Sequence, residues 1–506
     1  MNIDGLMIAA AAPLLWLLVG LGWLRLPARW VGLSGLGLVA LIAHRWFGMN
    51  GVRLIEAAID GVVLALWPIL WAIFGAIYAY NIGVRTGAIA TMKNTLATLS
   101  GDRRIQVLIM AWAFSGFLEG ATGYGTAVAI PVSILVALGF PPVPAAVVCL
   151  VGNTAPTAFG AIGVPVITLA NVTGLQLPEI SRAVAIQLSP VIMVLPWVLV
   201  ALSSEKGMKI RQVIGVTLLS GLIFTAVHYW AAVLGPELPA LLGGVASLLA
   251  IVIWLRLTQP KSPFPIVNSD RPEFNLRDNL VAWSPYLLLL IIVLATSNLF
   301  PKVNSWLEHV QTSFLIYHGP GGQPAVIHWL LTPGTLIFVA ALIGGKIQGA
   351  GYREFRQILA DTARQLTPTV IVVCSIVALA KIMNYSGMVS RIAETLAQLT
   401  GLYYPLIAPT VGAVGTFMTG SDTSANVLFG QLQKETAIRL GLNPYWIAAA
   451  NTAGATAGKM LSPQNIAIAA AAAGLNGREG DLFRGTLKIC LGYIVGLGLF
   501  VYLLAR

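Results

Sequence analysis

The sequence predicts an all-α polytopic membrane protein of about twelve crossings, with two inverted-topology repeats that each contain a re-entrant hairpin and a broken helix. Three observations predict it. The 506 residues are 57% hydrophobic and only 10% charged, and many apolar runs approach the roughly 20 residues that span a hydrocarbon core. Two stretches of equal length interrupt such runs with Gly, Pro and hydroxyl residues: Asn153–Pro165, NTAPTAFGAIGVP, and Asn451–Pro463, NTAGATAGKMLSP. Finally, the flanks of these stretches match: Phe117 and Gly120 have counterparts in Phe417 and Gly420, at an offset of 300. Backbone freed from helix in hydrocarbon leaves unpaired donors and acceptors, so such breaks persist only where they line protein or a watery cavity.

Crossings are expected near 5–24, 28–44, 60–80, 142–172, 181–203, 210–234, 236–257, 280–298, 329–345, 366–385, 444–472 and 482–504. The net charge of +11 follows from this topology and implies no nucleic-acid partner. Loops after odd crossings hold most of the Lys and Arg, among them Arg25, Arg29, Arg103, Arg104, Lys206, Lys209, Arg256, Arg353 and Arg478. The other side has fewer, including Arg45, Arg53, Arg182, Lys302, Lys434 and Arg439. The positive-inside rule then puts the first set in the cytoplasm and both termini outside. The N-terminus is acidic at Asp4 and lacks a basic stretch, so no cleavable signal is expected. Cys149, Cys374 and Cys490 stand alone, and the five histidines form no ligand pair at helical spacing, so neither metal nor cofactor is expected.

Residues 1–50 read as scaffold helices with tryptophans toward their ends, as interfacial anchors require. Residues 51–203 form the first repeat and 329–506 the second, with 204–328 between them. In each repeat a helix contains an Asp ahead of a Pro, Asp60 with Pro68 and Asp361 with Pro368. Amphipathic segments follow at Gly87–Ser100 and Met388–Thr400; Lys93, Asn94, Arg391 and Glu394 interrupt them, which suits an interfacial position. Hairpins come next at about 105–139 and 404–439, with tips FLEGATGYG and FMTGSDTSAN. Their arms, about 14 residues each, are too short to span comfortably and so re-enter. The broken helices at about 142–172 and 444–472 complete each repeat. Six crossings separate the helix at 60–80 from its partner at 366–385, so the partner runs the opposite way. In the middle region the polar loop Thr258–Asn279 and the outside segment Leu299–His328 are ordered, if at all, by packing.

Few ionisable groups fall at membrane depth: Glu119 on the first tip, Asp422 on the second, and Lys459 in the second break, where the twin has Ala161. An intramembrane charge costs at least about 2.5–3.5 kcal/mol on insertion scales, which makes each a functional candidate. Glu119 and Asp422 suit proton sites, because a carboxyl out of water can load and release protons; capping a helix start is the structural alternative. Lys459 suits a single substrate carboxylate, or an internal pair with Glu119 or Asp422. Lys381 and Lys488, nearer helix ends, are expected to snorkel. Neutral partners for a substrate come from Gly120, Ala121, Thr122 and Gly123 on one tip and Thr419, Gly420, Ser421 and Thr423 on the other. Asn153, Thr154, Asn451, Thr452, Ser462 and Gln464 supply the rest from the breaks. The run Ala121–Gly125, ATGYG, has a filter-like look, but a filter needs four loops around an axis and the second tip has no such run. No phosphate loop, zinc motif or Ser/His/Asp triad appears, so an enzyme is not expected.

The runs GFLEGATGYGTAVAIP, LGFPPVPAAVVCLVGNTAPTAFGAIGVP, TFMTGSDTSANVLFGQLQ and ANTAGATAGKMLSPQNIAIA resemble the L-lactate permease family of bacterial plasma membranes. The resemblance implies proton-coupled uptake of L-lactate and related 2-hydroxy monocarboxylates such as glycolate, through a multi-pass protein of the inner membrane. It also implies kinship with an ion transporter superfamily whose hairpin domains slide against a scaffold, often in a homodimer. On this expectation substrate sits between tips and breaks, with Lys459 and helix N-termini on its carboxylate. Asn153, Thr154 and Ser421 reach its hydroxyl, and Glu119 is the first choice for proton carrier. Sodium coupling and a channel are the open alternatives.

Overall fold

The computed structural model describes residues 5–24, 26–123, 125–204, 210–258 and 275–505. Tyr124, Lys206, Lys209 and most of the Thr258–Asn279 loop lie outside the described residues. Gly5–Leu17 (α1) widens into π turns over Leu18–Trp23, and Ala28–Trp46 (α2) follows. Gly51–Leu64 (α3) starts where the Asn50 side chain accepts the Arg53 N–H at 2.8 Å, a standard N-cap. Pro68 lacks an N–H for the ladder and Trp67 turns extended, so the chain kinks before Trp71–Arg85 (α4). Left-handed Gly87 ends that helix and opens Ala88–Ala97 (α5), which buries Ala88, Ile89, Met92 and Leu96 on one face.

The first hairpin rises as Arg103–Val107 (α6), passes through wide turns over Leu108–Phe114, and ends as Ser115–Ala121 (α7). Gly123 and Gly125 take positive φ to reverse the chain into Thr126–Ala137 (α8). Pro142–Gly152 (α9), a short 3₁₀ turn at Ala155–Phe159 and Gly160–Thr173 (α10) make the first broken helix. Long apolar helices then follow at Leu177–Ser203 (α11), Ile214–Leu234 (α12), Pro239–Thr258 (α13) and Leu276–Thr296 (α14). The outside segment Leu299–His328, expected to be ordered at most by packing, forms Pro301–Glu308 (α15) and a two-stranded antiparallel ribbon. Its strands, Gln311–Phe314 (β1) and Ala325–His328 (β2), place Gln311 opposite His328.

The remaining helices are Pro333–Ile347 (α16), Tyr352–Tyr385 (α17), Met388–Thr400 (α18), Tyr404–Thr419 (α19), Asp422–Arg439 (α20), Pro444–Lys459 (α21), Pro463–Ala473 (α22) and Glu479–Leu503 (α23). Among the described residues eight helices are long and apolar enough to cross a membrane. Their outer faces expose Leu222, Leu249, Ile253, Ile291 and Val495, an apolar surface suited to lipid.

Two joints position the site. Along α19 and α21 the backbones touch: a Cβ on Gly412 would lie 1.9 Å from Asn451 O, one on Gly454 1.9 Å from Pro409 O, and one on Gly458 2.1 Å from Ala413 O. Small residues permit this approach where no hydrophobic force drives helices together. The second joint corrects an expectation. Lys381 does not snorkel; its Nζ lies 2.8 Å from Asp60 Oδ2 across α17 and α3, and Tyr385 OH donates to the same oxygen at 2.7 Å. Asp60 is buried, and an unpaired carboxylate there would be costly, so the lysine turns inward. Lys488 is exposed, as expected.

Candidate functional site

Both hairpin tips meet the breaks inside one cavity of about 660 Å³. Its lining includes Glu119, Gly123, Thr157, Gly160, Thr419, Gly420, Ser421, Asp422, Thr423, Lys459, Ser462 and Gln464. It extends to the Leu26–Arg29 segment, where Arg29 is exposed at one end of the lining. A second cavity, about 730 Å³, lies toward the loops at 174–178, 235–237 and 323–333 and has Asp60 and Lys381 in its lining. Ile69, Leu366, Val377 and Val427 belong to one apolar cluster with Ala65, Leu70 and Ile73. Ile69 and Leu366 border the first cavity, while neighbouring Pro68 borders the second.

The centre of the site is a buried ion pair. Lys459 Nζ lies 2.8 Å from Glu119 Oε1 and donates to Thr157 Oγ1 at 3.0 Å. Asn153 Nδ2 donates to the other Glu119 oxygen at 2.9 Å. The local sequence explains the placement. Pro156 and the left-handed backbone at Ala161 and Ile162 open the first helix, which frees Thr157 and Gly160 to approach the tip. A Cβ on Gly160 would stand 2.7 Å from Glu119 Oε1, so only glycine leaves room for that carboxylate. Lys459 ends α21, and its long side chain crosses to Glu119 on α7.

The second break differs from the expected one. Asn451 and Thr452 are helical inside α21, and the interruption falls later, at Met460–Ser462. Pro463 sets it there, since it lacks an N–H and biases Ser462 toward extended backbone. Asp422 opens α20 behind the N-cap Ser421, a favourable end for negative charge. Its Oδ1 accepts from Thr452 Oγ1 at 3.0 Å, whereas its Oδ2 is buried without a hydrogen-bond partner among the described residues.

Of the sequence-predicted residues, Glu119, Gly123, Thr419, Gly420, Ser421, Asp422, Thr423, Lys459, Ser462 and Gln464 line the cavity. Asn153 and Thr452 stand one layer behind it and bond its lining at Glu119 and Asp422, while Asn451 stands further back, bonded to Asn426 and Gln433. Thr154 bonds its own helix at Val151 O, and Thr122 bonds Leu118 O and Thr126. Ala121 is buried away from the lining. Gly120 faces the scaffold, where a Cβ would meet Leu241 N of α13 at 2.6 Å. Sequence reasoning missed Thr157 and Gly160, which lie in the quoted first break, Gln433, which closes the quoted run TFMTGSDTSANVLFGQLQ, and Tyr404, which no motif marked.

The backbone is similar to a solved structure of Neisseria gonorrhoeae MtrF, of a class of antimetabolite efflux pumps, at TM-score 0.52 and 13% identity, covering 96% of each chain. That likeness shows a shared membrane-protein fold. The chain is 43% identical to an L-lactate permease of Streptococcus iniae over 87% of its own length and 93% of the relative's. It is 34% identical to the glycolate permease GlcA of Escherichia coli K12, covering 98% and 95% respectively. Fold, apolar spans and relatives together define a multi-pass membrane permease. The family model of L-lactate permease matches residues 6–506, and the chain belongs to that family.

Proposed function

We propose that this protein is a secondary active symporter that carries L-lactate, glycolate and related 2-hydroxy monocarboxylates into the cell with protons, by alternating access. One observation carries the proposal: the cavity buries two carboxylates, Glu119 and Asp422, and one ammonium, Lys459. With all three ionised the site is already net negative, and a monocarboxylate adds a further charge. Buried charges of one sign repel strongly in a low dielectric, so a proton on one carboxyl favours loading of the anion. Lys459 uses two of an ammonium's three donors on Glu119 and Thr157, which leaves one for the substrate carboxylate. Of the two candidate proton-coupling residues, Glu119 and Asp422, Glu119 is the proposed carrier because it contacts the lysine.

Alternating access is supported by two separate cavities that border one apolar cluster, Ile69 and Leu366 lining the site cavity and Leu64, packed against the same cluster, lining the other. The site cavity reaches the Leu26–Arg29 segment, which the charge bias assigns to the cytoplasm. On that topology the site faces inward, in a chain of twelve crossings with inverted repeats at 51–203 and 329–506 and both termini outside the inner membrane. A homodimer is the assembly that the superfamily resemblance suggests.

Proteoliposomes test this reading. An imposed pH gradient, acid on the transport-entry side, should drive lactate accumulation above the outside concentration without sodium. Accumulation only with a sodium gradient would replace the proton by sodium. Equilibration without accumulation under any gradient would leave a channel.

A further inference from the structure

Behind the cavity a chain of buried side chains runs from Tyr404 to Asp422. Tyr404 OH donates to Gln433 Oε1 at 2.7 Å, and Gln433 Nε2 donates to Asn451 Oδ1 at 3.2 Å. Asn451 Nδ2 donates to Asn426 Oδ1 at 2.9 Å, and Asn426 Nδ2 donates to Thr452 Oγ1. Thr452 Oγ1 then donates to Asp422 Oδ1 at 3.0 Å. Tyr404, Gln433, Asn451, Asn426 and Thr452 are fully buried, and Asp422 is 2% exposed.

The direction of this chain is forced. An amide can present either face to a neighbour, but each NH₂ here also donates to a backbone carbonyl, which can only accept. Those carbonyls are Ala408 O at 2.9 Å for Gln433, Ala425 O at 3.3 Å for Asn451 and Pro165 O at 3.1 Å for Asn426. The Thr452 hydroxyl receives from Asn426, so its single hydrogen goes to Asp422. Oδ1 is thereby fixed as an acceptor. Asp422 has one oxygen left, Oδ2, which is buried without a partner among the described residues, in a side chain that lines the cavity. A buried acceptor without a donor costs about 1–3 kcal/mol, and more when charged, so the site is built to receive a donor there.

We propose that Asp422 Oδ2 accepts the hydroxyl hydrogen of the substrate, and that the chain from Tyr404 makes the transporter selective for 2-hydroxy over 2-oxo and unsubstituted acids. The proposal rests on the reading that a monocarboxylate binds at Lys459. In a 2-hydroxy acid the hydroxyl is one carbon from the carboxylate, so one molecule presents an acceptor to Lys459 and a donor to Asp422. Pyruvate presents a carbonyl oxygen to Oδ2, and propionate presents nothing. The same geometry assigns different duties to the two acids. A proton on Asp422 would sit on Oδ2 and turn it into a donor, which a hydroxyl oxygen and a 2-oxo oxygen accept alike, so the preference would be lost. Selection for the hydroxyl therefore needs Asp422 ionised, which leaves Glu119 to carry the proton. Asn153, expected from sequence to reach the hydroxyl, donates its Nδ2 to Glu119.

The test is inhibition of labelled L-lactate exchange in proteoliposomes by unlabelled lactate, glycolate, pyruvate and propionate. Lactate and glycolate should inhibit roughly ten- to a hundredfold better than pyruvate and propionate, the value of one hydrogen bond to a charged group. Asp422→Asn should bring lactate and pyruvate together, because Thr452 holds the amide oxygen and turns the NH₂ toward the cavity, where it serves a hydroxyl oxygen and a 2-oxo oxygen alike. Thr452→Val, which removes the donor that fixes Oδ1, should bring lactate and pyruvate together, while Thr452→Ser should keep the wild-type ratio. Equal inhibition by all four acids in the wild type would overturn the proposal and leave lactate transport standing. So would an unchanged ratio in Asp422→Asn and Thr452→Val. If Asp422→Asn does not fold, the wild-type ratio and the Thr452 pair decide. Absence of any lactate exchange by folded wild-type protein would refute the transport reading itself.

Discussion

At the scale of single residues the site rests on Lys459 and the carboxylate it holds. Lys459→Ala should raise the lactate dissociation constant about ten- to a hundredfold, the loss of one charge-assisted contact. It should also lower stability by about 3–5 kcal/mol, because Glu119 is left buried without its counter-charge. The double change Glu119→Gln/Lys459→Ala should recover most of that stability, read as the melting temperature in detergent; a double mutant no more stable than Lys459→Ala would contradict the pairing. The three charged groups of the site were legible because charge at membrane depth is conspicuous in an apolar sequence. Their division was not. That Lys459 takes Glu119 while Asp422 takes Thr452 depends on which tip reaches which break, a tertiary fact. The Asp60–Lys381 pair escaped for the same reason: each residue has an ordinary local explanation, and only the crossing of α3 and α17 joins them.

At the scale of elements, the α19–α21 contact sets where Asn451, Thr452 and Lys459 lie relative to the second tip. Gly458→Val would press side-chain carbon into the Ala413 backbone, within about 2.1 Å at Cβ alone. Overpacking of this kind costs about 1–3 kcal/mol or more, so the melting temperature should fall and lactate binding weaken with it. Gly492→Ala is the control, since a Cβ there meets nothing within 4 Å; an equal loss in both would remove the close-packing account. Helix positions were largely readable from apolar runs and their Pro and Gly punctuation. The character of the second break was not. Gly454 and Gly458 look like helix breakers in sequence, yet they are helical residues that admit a neighbouring backbone, and Pro463 alone makes the interruption. The ribbon of β1 and β2 was also illegible, because four-residue strands leave almost no periodic signal.

At the scale of the whole molecule the account requires a fixed orientation and a coupled cycle. A cysteine at Gln323, in an exposed loop beside the second cavity, should react with an impermeant thiol reagent from outside intact cells. One at exposed Arg478 should react only after permeabilisation, and the opposite pattern would invert the topology. The central claim is that Glu119 carries the proton whose entry permits the anion beside Lys459. Glu119→Gln fixes that side chain in a neutral form that can still donate a hydrogen bond. The decisive measurement is lactate flux through this variant in proteoliposomes, with and without an imposed pH gradient. The account predicts retained exchange of lactate across the membrane and no accumulation driven by the gradient. Concentrative uptake by Glu119→Gln equal to the wild type at neutral pH would contradict it.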